Sequence, residues 1–136
     1  MQFFNLLYFF LVGLVTAGSL QDLEIGITKK APRCTQKASA GDIVDVHYTG
    51  YFRDNGKQFD SSYSRGKPIS FTLGSGQVIY GWEQGLIGTC VGEERKIQIP
   101  SKYAYGETGI PGVIPPNSDM VFDVKLVSIN RDSLEF

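Results

Sequence analysis

Along most of the chain, apolar and polar residues alternate at period two, the pattern of strands that turn one face inward. Leu23, Ile25 and Ile27 alternate with Glu24, Gly26 and Thr28, which predicts a strand running to about Lys30 and stopped by Ala31-Pro32. After the Ala40-Gly41-Asp42 turn, Ile43 to Phe52 reads as a second strand, with Val44, Val46 and Tyr48 on one face and Ile43, Asp45 and His47 on the other. Asp54-Asn55-Gly56 predicts a hairpin turn, because Asn-Gly accepts the positive φ angles such a turn needs. Gln58 to Ser61 is the return strand, Tyr63 to Pro68 is polar and irregular, and Ile69 to Leu73 is a short fourth strand. Val91-Gly92-Glu93 turns into a strand from Arg95 to Ile99, closed by Pro100. Met120 to Asn130 is the last, setting Phe122, Val124 and Leu126 against Val121, Asp123 and Lys125.

One stretch leaves this period. After Gly74-Ser75-Gly76, the apolar residues Ile79, Trp82 and Leu86 recur at helical spacing, which predicts a helix over Tyr80–Ile87 ended by Gly88. A helix so short is held by packing rather than by its own propensity. Trp82, the single tryptophan, reads either as core or as the floor of a pocket built by the strands. Residues 101–118 form a long connection rich in Gly and Pro, and such loops are more often functional than not. Strands do not alternate with helices, which excludes a doubly wound sheet. The expected fold is α+β: an antiparallel five- to six-stranded sheet wrapped around one short α-helix.

Residues 1–17 are of another kind. Met1-Gln2 is followed by an apolar run from Phe3 to Val15, broken by Asn5 and Gly13, and Val15-Thr16-Ala17 offers small residues for cleavage before Gly18. The run is short of the roughly 20 residues that span a bilayer, so it reads as a secretory signal peptide, with a retained anchor as the alternative. The organisation expected is a signal over 1–17, a linker over 18–22, one domain over 23–131 and a tail over 132–136, with no stable membrane insertion once the signal is removed.

With 136 residues, 42% apolar content and a net charge of −1, the chain has a globular composition and gives no reason to expect nucleic acid or an anionic membrane as partner. The two cysteines, Cys34 and Cys90, form no metal-ligand or redox motif. On a secretory route they read as one structural disulfide worth roughly 4 kcal/mol, with two buried thiols as the alternative. His47 is the single histidine and sits in mid-strand, so no metal or other cofactor is expected. No serine has the setting of a nucleophile. Any activity must therefore come from shape and placed hydrogen bonds. The chain does carry aromatics beside polar groups: Tyr48, Phe59-Asp60 with Arg65 in reach, Phe71, Tyr103, Tyr105 and Phe122.

Several blocks together are recognisable: Val46-His47-Tyr48-Thr49-Gly50, Phe59-Asp60-Ser61-Ser62, Gln77-Val78-Ile79-x-Gly81-Trp82-x-x-Gly85, Tyr103-x-Tyr105-Gly106, Ile114-Pro115-Pro116 and Val121-Phe122-Asp123-Val124. In order and spacing the chain resembles the FKBP-type immunophilins, peptidyl-prolyl cis-trans isomerases, through about residues 23–131. It is most similar to the small single-domain members of the secretory pathway, which share a cleaved signal and a cysteine pair placed like Cys34 and Cys90.

The resemblance implies catalysis at Tyr48, Phe59, Asp60, Val78, Ile79, Trp82, Tyr105 and Phe122. It adds Arg65, Ile69, Gln77, Ile110 and Ile114 to the surface that binds substrate or inhibitor. Trp82 would lie under the proline ring. The Ile79 N–H and the Tyr105 hydroxyl would donate hydrogen bonds, and Asp60, held by Tyr48 and Arg65, would be the polar wall. The implied partners are proline-containing polypeptides and the macrolides tacrolimus and rapamycin, met by a monomer without cofactors. Ile69 stands where many members carry phenylalanine, Gln77 where an acidic residue is frequent, and Ile110 where the cytosolic form has histidine. These departures bear on the residue preferred before proline and on inhibitor affinity. The tail, Ser133-Leu134-Glu135-Phe136, is not a Lys/His-Asp-Glu-Leu retrieval signal, so retention in the endoplasmic reticulum lumen and secretion both stay open. A proline-binding module or chaperone with little catalysis is the alternative function, and a redox protein using the two cysteines a weaker one.

Overall fold

A computed structural model describes residues 20–131. The expected signal peptide, residues 18–19 of the linker and the tail from residue 132 lie outside the described residues. The elements are β1 Glu24–Lys29, β2 Ile43–Phe52, β3 Gln58–Ser61, a 3-10 turn Tyr63–Arg65, β4 Ile69–Thr72, α1 Tyr80–Leu86, β5 Glu94–Ile99, a 3-10 turn Ser101–Tyr103 and β6 Met120–Asn130.

The six strands form one sheet in the order β1-β5-β6-β2-β3, with β4 also paired to β2, and every pairing is antiparallel. The free edge of β2 is shared end to end: β3 takes Thr49–Tyr51 and β4 takes Ile43–Val46. Between β3 and β4 the chain leaves the sheet, and the 3-10 turn in that excursion carries Arg65. β2 and β6 pair along their whole length, from Ile43 opposite Asn130 to Phe52 opposite Met120. Their register slips between Asp45 and Val46, where Val127 is the extra residue. This bulge reverses the facing of β6, so that Ile129 is buried and Val127 is not.

The helix lies on β5. Gly81 and Gly85 make that approach possible, since a Cβ at Gly81 would stand 2.5 Å from Ile99 and one at Gly85 2.6 Å from Ile97. Trp82 and Leu86 then reach a core of Val44, Val46, Phe71, Ile97, Ile99, Met120, Phe122, Val124 and Leu126. The helix stops one residue earlier than its spacing suggests. The Gly88 N–H donates to the Ala38 carbonyl at 2.8 Å rather than continuing the helix, and the Arg95 guanidinium donates to the carbonyls of Gly85 and Ile87 at 3.0 and 3.2 Å. Beside this end, Cys34 and Cys90 are joined by a disulfide, with Cα atoms 5.3 Å apart.

Two stretches differ from the expectation. The alternation in β1 does not produce a buried face: all six residues are exposed, Ile25 at 45% and Ile27 at 52% among them. The 101–118 connection has structure of its own, with a 3-10 turn and a bridge between Ile110 and Ile114. The bridge closes over Gly109, whose φ is +61° and where a Cβ would lie 2.2 Å from the Ile114 carbonyl oxygen, so only glycine fits.

Candidate functional site

A cavity of about 350 Å³ opens between the sheet and the start of α1, lined by Tyr48, Phe59, Asp60, Ile69, Gln77, Val78, Ile79, Trp82, Tyr105 and Phe122. Strands supply five of these. Tyr48 comes from β2, Phe59 and Asp60 from β3, Ile69 from β4 and Phe122 from β6. The turn before α1 supplies Gln77, Val78 and Ile79, and the long connection supplies Tyr105.

Trp82 forms the base, 4% exposed. Its ring meets Tyr48 edge-on at 5.0 Å and Phe122 at 5.3 Å, while Phe59 meets Phe122 at 5.7 Å. Edge-to-face packing of this kind fixes each ring as well as burying it. Gly50 on β2 leaves the space for it: a Cβ there would stand 2.7 Å from Phe59 and 2.8 Å from Phe122.

The polar wall is a closed set of three side chains. The Tyr48 hydroxyl donates to one oxygen of Asp60. Arg65 donates to the other at 2.9 Å and to the Tyr48 hydroxyl at 2.8 Å, and the Ser61 N–H donates to Asp60 at 2.8 Å. Burial pushes the Asp60 carboxyl up, but the hydrogen bonds from Tyr48, Arg65 and the Ser61 N–H, with the Arg65 charge, outweigh it and hold the carboxyl below its ordinary value. Burial, and then the neighbouring Asp60 carboxylate, push the Tyr48 hydroxyl up. The same two causes in the same order raise Tyr105. Both phenols therefore stay protonated well into alkaline solution. Among the described residues, neither the Tyr105 hydroxyl nor the Ile79 N–H donates to a protein acceptor.

Three residues expected at the site lie off the cavity wall. Arg65 braces Asp60 and Tyr48 from outside. Ile110, at the loop surface, and Ile114, 4% exposed in the core, face each other across the bridge in the long connection. His47 lies on the other side of β2, where its ring stacks on Tyr63 at 4.3 Å and its Nδ1 meets the Ser62 hydroxyl at 2.8 Å. That hydroxyl also accepts the Tyr48 N–H at 2.8 Å. Neither Gly50 nor Glu83 stood out in the sequence as a site residue. No group of three or more metal-ligating side chains occurs among the described residues, and none of their helices is long and apolar enough to cross a membrane.

Comparison with known proteins identifies a family. The model of the FKBP-type peptidyl-prolyl cis-trans isomerase family matches residues 34–127. The chain is 62% identical over 117 residues to the peptidyl-prolyl cis-trans isomerase FPR2 of Saccharomyces cerevisiae, covering 85% of this chain and 87% of that protein. It is 50% identical over 131 residues to FK506-binding protein 2 of Kluyveromyces lactis, covering 96% and 93%. Among solved structures it is similar to FkpA from Escherichia coli, with a TM-score of 0.71 and 40% identity over 80% of this chain and 48% of that longer one.

Proposed function

The chain belongs to the FKBP-type peptidyl-prolyl cis-trans isomerases, and on that premise we propose that it accelerates X-Pro isomerisation in proteins folding along the secretory pathway, using the cavity over Trp82. Rotation about a peptide bond costs about 18–20 kcal/mol because amide resonance is lost. An X-Pro bond left alone turns over in tens to hundreds of seconds. Halfway through rotation the carbonyl has lost conjugation and carries less negative charge. Such a carbonyl suits a dry aromatic surface better than the planar amide does, and a site that binds the twisted form more tightly lowers the barrier. The step needs no nucleophile and no proton transfer.

The observation that carries this reading is the cavity itself. Trp82 offers a flat apolar base for the proline ring, enclosed by Tyr48, Phe59, Val78 and Phe122. The Ile79 N–H and the Tyr105 hydroxyl, neither of which donates to a protein acceptor among the described residues, would hold the carbonyls on either side of the bond. The Asp60 carboxylate, fixed by Tyr48 and Arg65, presents a constant negative edge to the twisting amide. Tacrolimus and rapamycin would occupy the same cavity. Ile69 and Gln77 would line its rim, and Ile110 and Ile114 would bear on it through the shape of the loop that carries them.

The protein acts as a monomer after removal of residues 1–17, in the endoplasmic reticulum lumen or beyond it. The test is isomerisation of a proline tetrapeptide by protein lacking residues 1–17, with and without rapamycin. Acceleration abolished by rapamycin is expected; a folded protein that shows neither would refute the proposal. Tight peptide binding without turnover would identify a proline-binding module instead. Mass measurement of protein recovered from the secretory pathway checks the cleavage: a mature chain that still carries residues 1–17 would contradict it.

A further inference from the structure

Glu83 follows Trp82 on α1 and is only 8% exposed. Among the described residues it has no cation as partner. A carboxylate buried in this way is costly unless its oxygens are hydrogen-bonded. Both of them are: the Gly74 N–H donates to one oxygen at 2.9 Å and the Gly76 N–H to the other at 3.0 Å. The two glycines hold φ at +83° and +80°, which brings their amides round to a common point, as in the backbone concavities that receive anions. The rest of the turn is engaged with β4. The Ser75 hydroxyl donates to the Thr72 carbonyl at 2.7 Å, and the Gln77 side-chain oxygen accepts the Thr72 N–H at 2.9 Å.

The purpose of this tie follows from where the turn leads. Gln77, Val78 and Ile79 come directly after it and form one wall of the cavity, and Trp82, directly before Glu83, forms the base. Glu83 thus joins the turn that precedes the wall to the helix that carries the base. We propose that Glu83 is a positioning residue for prolyl substrates: by clasping the Gly74–Gly76 turn it holds the Ile79 N–H at a fixed height above Trp82. This rests on the reading of the cavity as the prolyl site. A purely stabilising Glu83 would change the amount of folded protein and leave substrate affinity alone. A positioning Glu83 acts on substrate held in both planar and twisted forms, so its loss raises KM more than it lowers kcat.

The test measures kcat and KM for the wild type, Glu83→Gln and Glu83→Ala, together with hydrogen exchange at the Gly74 and Gly76 amides in the absence of substrate. Glu83→Ala should raise KM by about tenfold with kcat changed less than about threefold, the size of effect expected when a binding contact moves by a fraction of an ångström. Glu83→Gln keeps one acceptor oxygen but turns an NH₂ group toward the second amide, so its KM should fall between, and the two amides should exchange faster in the same order. An unchanged KM in a folded Glu83→Ala overturns the proposal, as does a loss of activity that tracks the unfolded fraction. If Glu83→Ala does not fold, a wild-type KM in Glu83→Gln overturns it. An inactive wild type refutes the isomerase reading itself, whereas an active wild type with indifferent variants refutes only the role of Glu83.

Discussion

With its ring edge-on to Tyr48 and Phe122 and almost wholly buried, Trp82 is a core residue whose remaining surface is the base of the cavity. Trp82→Ala should therefore cost about 3–5 kcal/mol of stability, measured by chemical denaturation, and should weaken peptide binding in the protein that stays folded; loss of one without the other would contradict this placement. Asp60 carries a pH dependence of definite sign. Its carboxyl titrates below the ordinary value of 3.8 in the folded protein. The stability it contributes is fully present above the unfolded value and is lost as pH falls through the lower, folded one. Denaturation midpoints measured downward from pH 6 should fall less steeply in Asp60→Asn than in the wild type. The aromatic and acidic residues of the cavity were legible in the sequence because their blocks keep a recognisable order and spacing. Glu83 was not, since a glutamate in a helix's first turn ordinarily faces water, and its partners here are backbone amides that no side-chain pattern reveals.

Gly50 shows how one strand position shapes the site. It stands opposite Phe122 on β6 and Asp60 on β3, and the rings of Phe59 and Phe122 lean into the space it leaves. Gly50→Ala should cost about 1–3 kcal/mol by overpacking and should lower kcat/KM by pushing two rings into the cavity; a variant with full activity would show that the rings can move aside freely. Strands were legible from period two, and the hairpin from Asn-Gly, because both are local. The shared edge of β2 was not, because pairing partners are chosen by distant parts of the chain. The β6 bulge is another such case. Leu126-Val127-Ser128-Ile129 breaks its own alternation, and only the register with β2 decides which residue of that run turns outward. In β1 the alternation is real but neither face is buried, so pattern alone could not tell an exposed strand from a half-buried one.

At the scale of the whole molecule, the disulfide ties the segment after β1 to the chain just beyond α1. Replacing both Cys34 and Cys90 by serine should cost about 2–4 kcal/mol in denaturation experiments and leave isomerase activity intact where the protein is still folded; a parallel loss of activity would give the bridge a part in the site. The α+β class and the single short helix were legible from the order of the elements. The depth of the cavity was not, because it depends on four strands, a helix, a turn and a loop meeting around it. The pairing of β2 with β6 also has a consequence in time. The two strands lie near opposite ends of the described chain, and Tyr48 and Phe122 reach the cavity from them. Nothing made before β6 emerges can close the core, and bringing such distant segments together is the slow part of folding. The growing chain should therefore remain without a closed core until synthesis has passed Asn130. A fragment ending before Met120 should show no cooperative unfolding by circular dichroism.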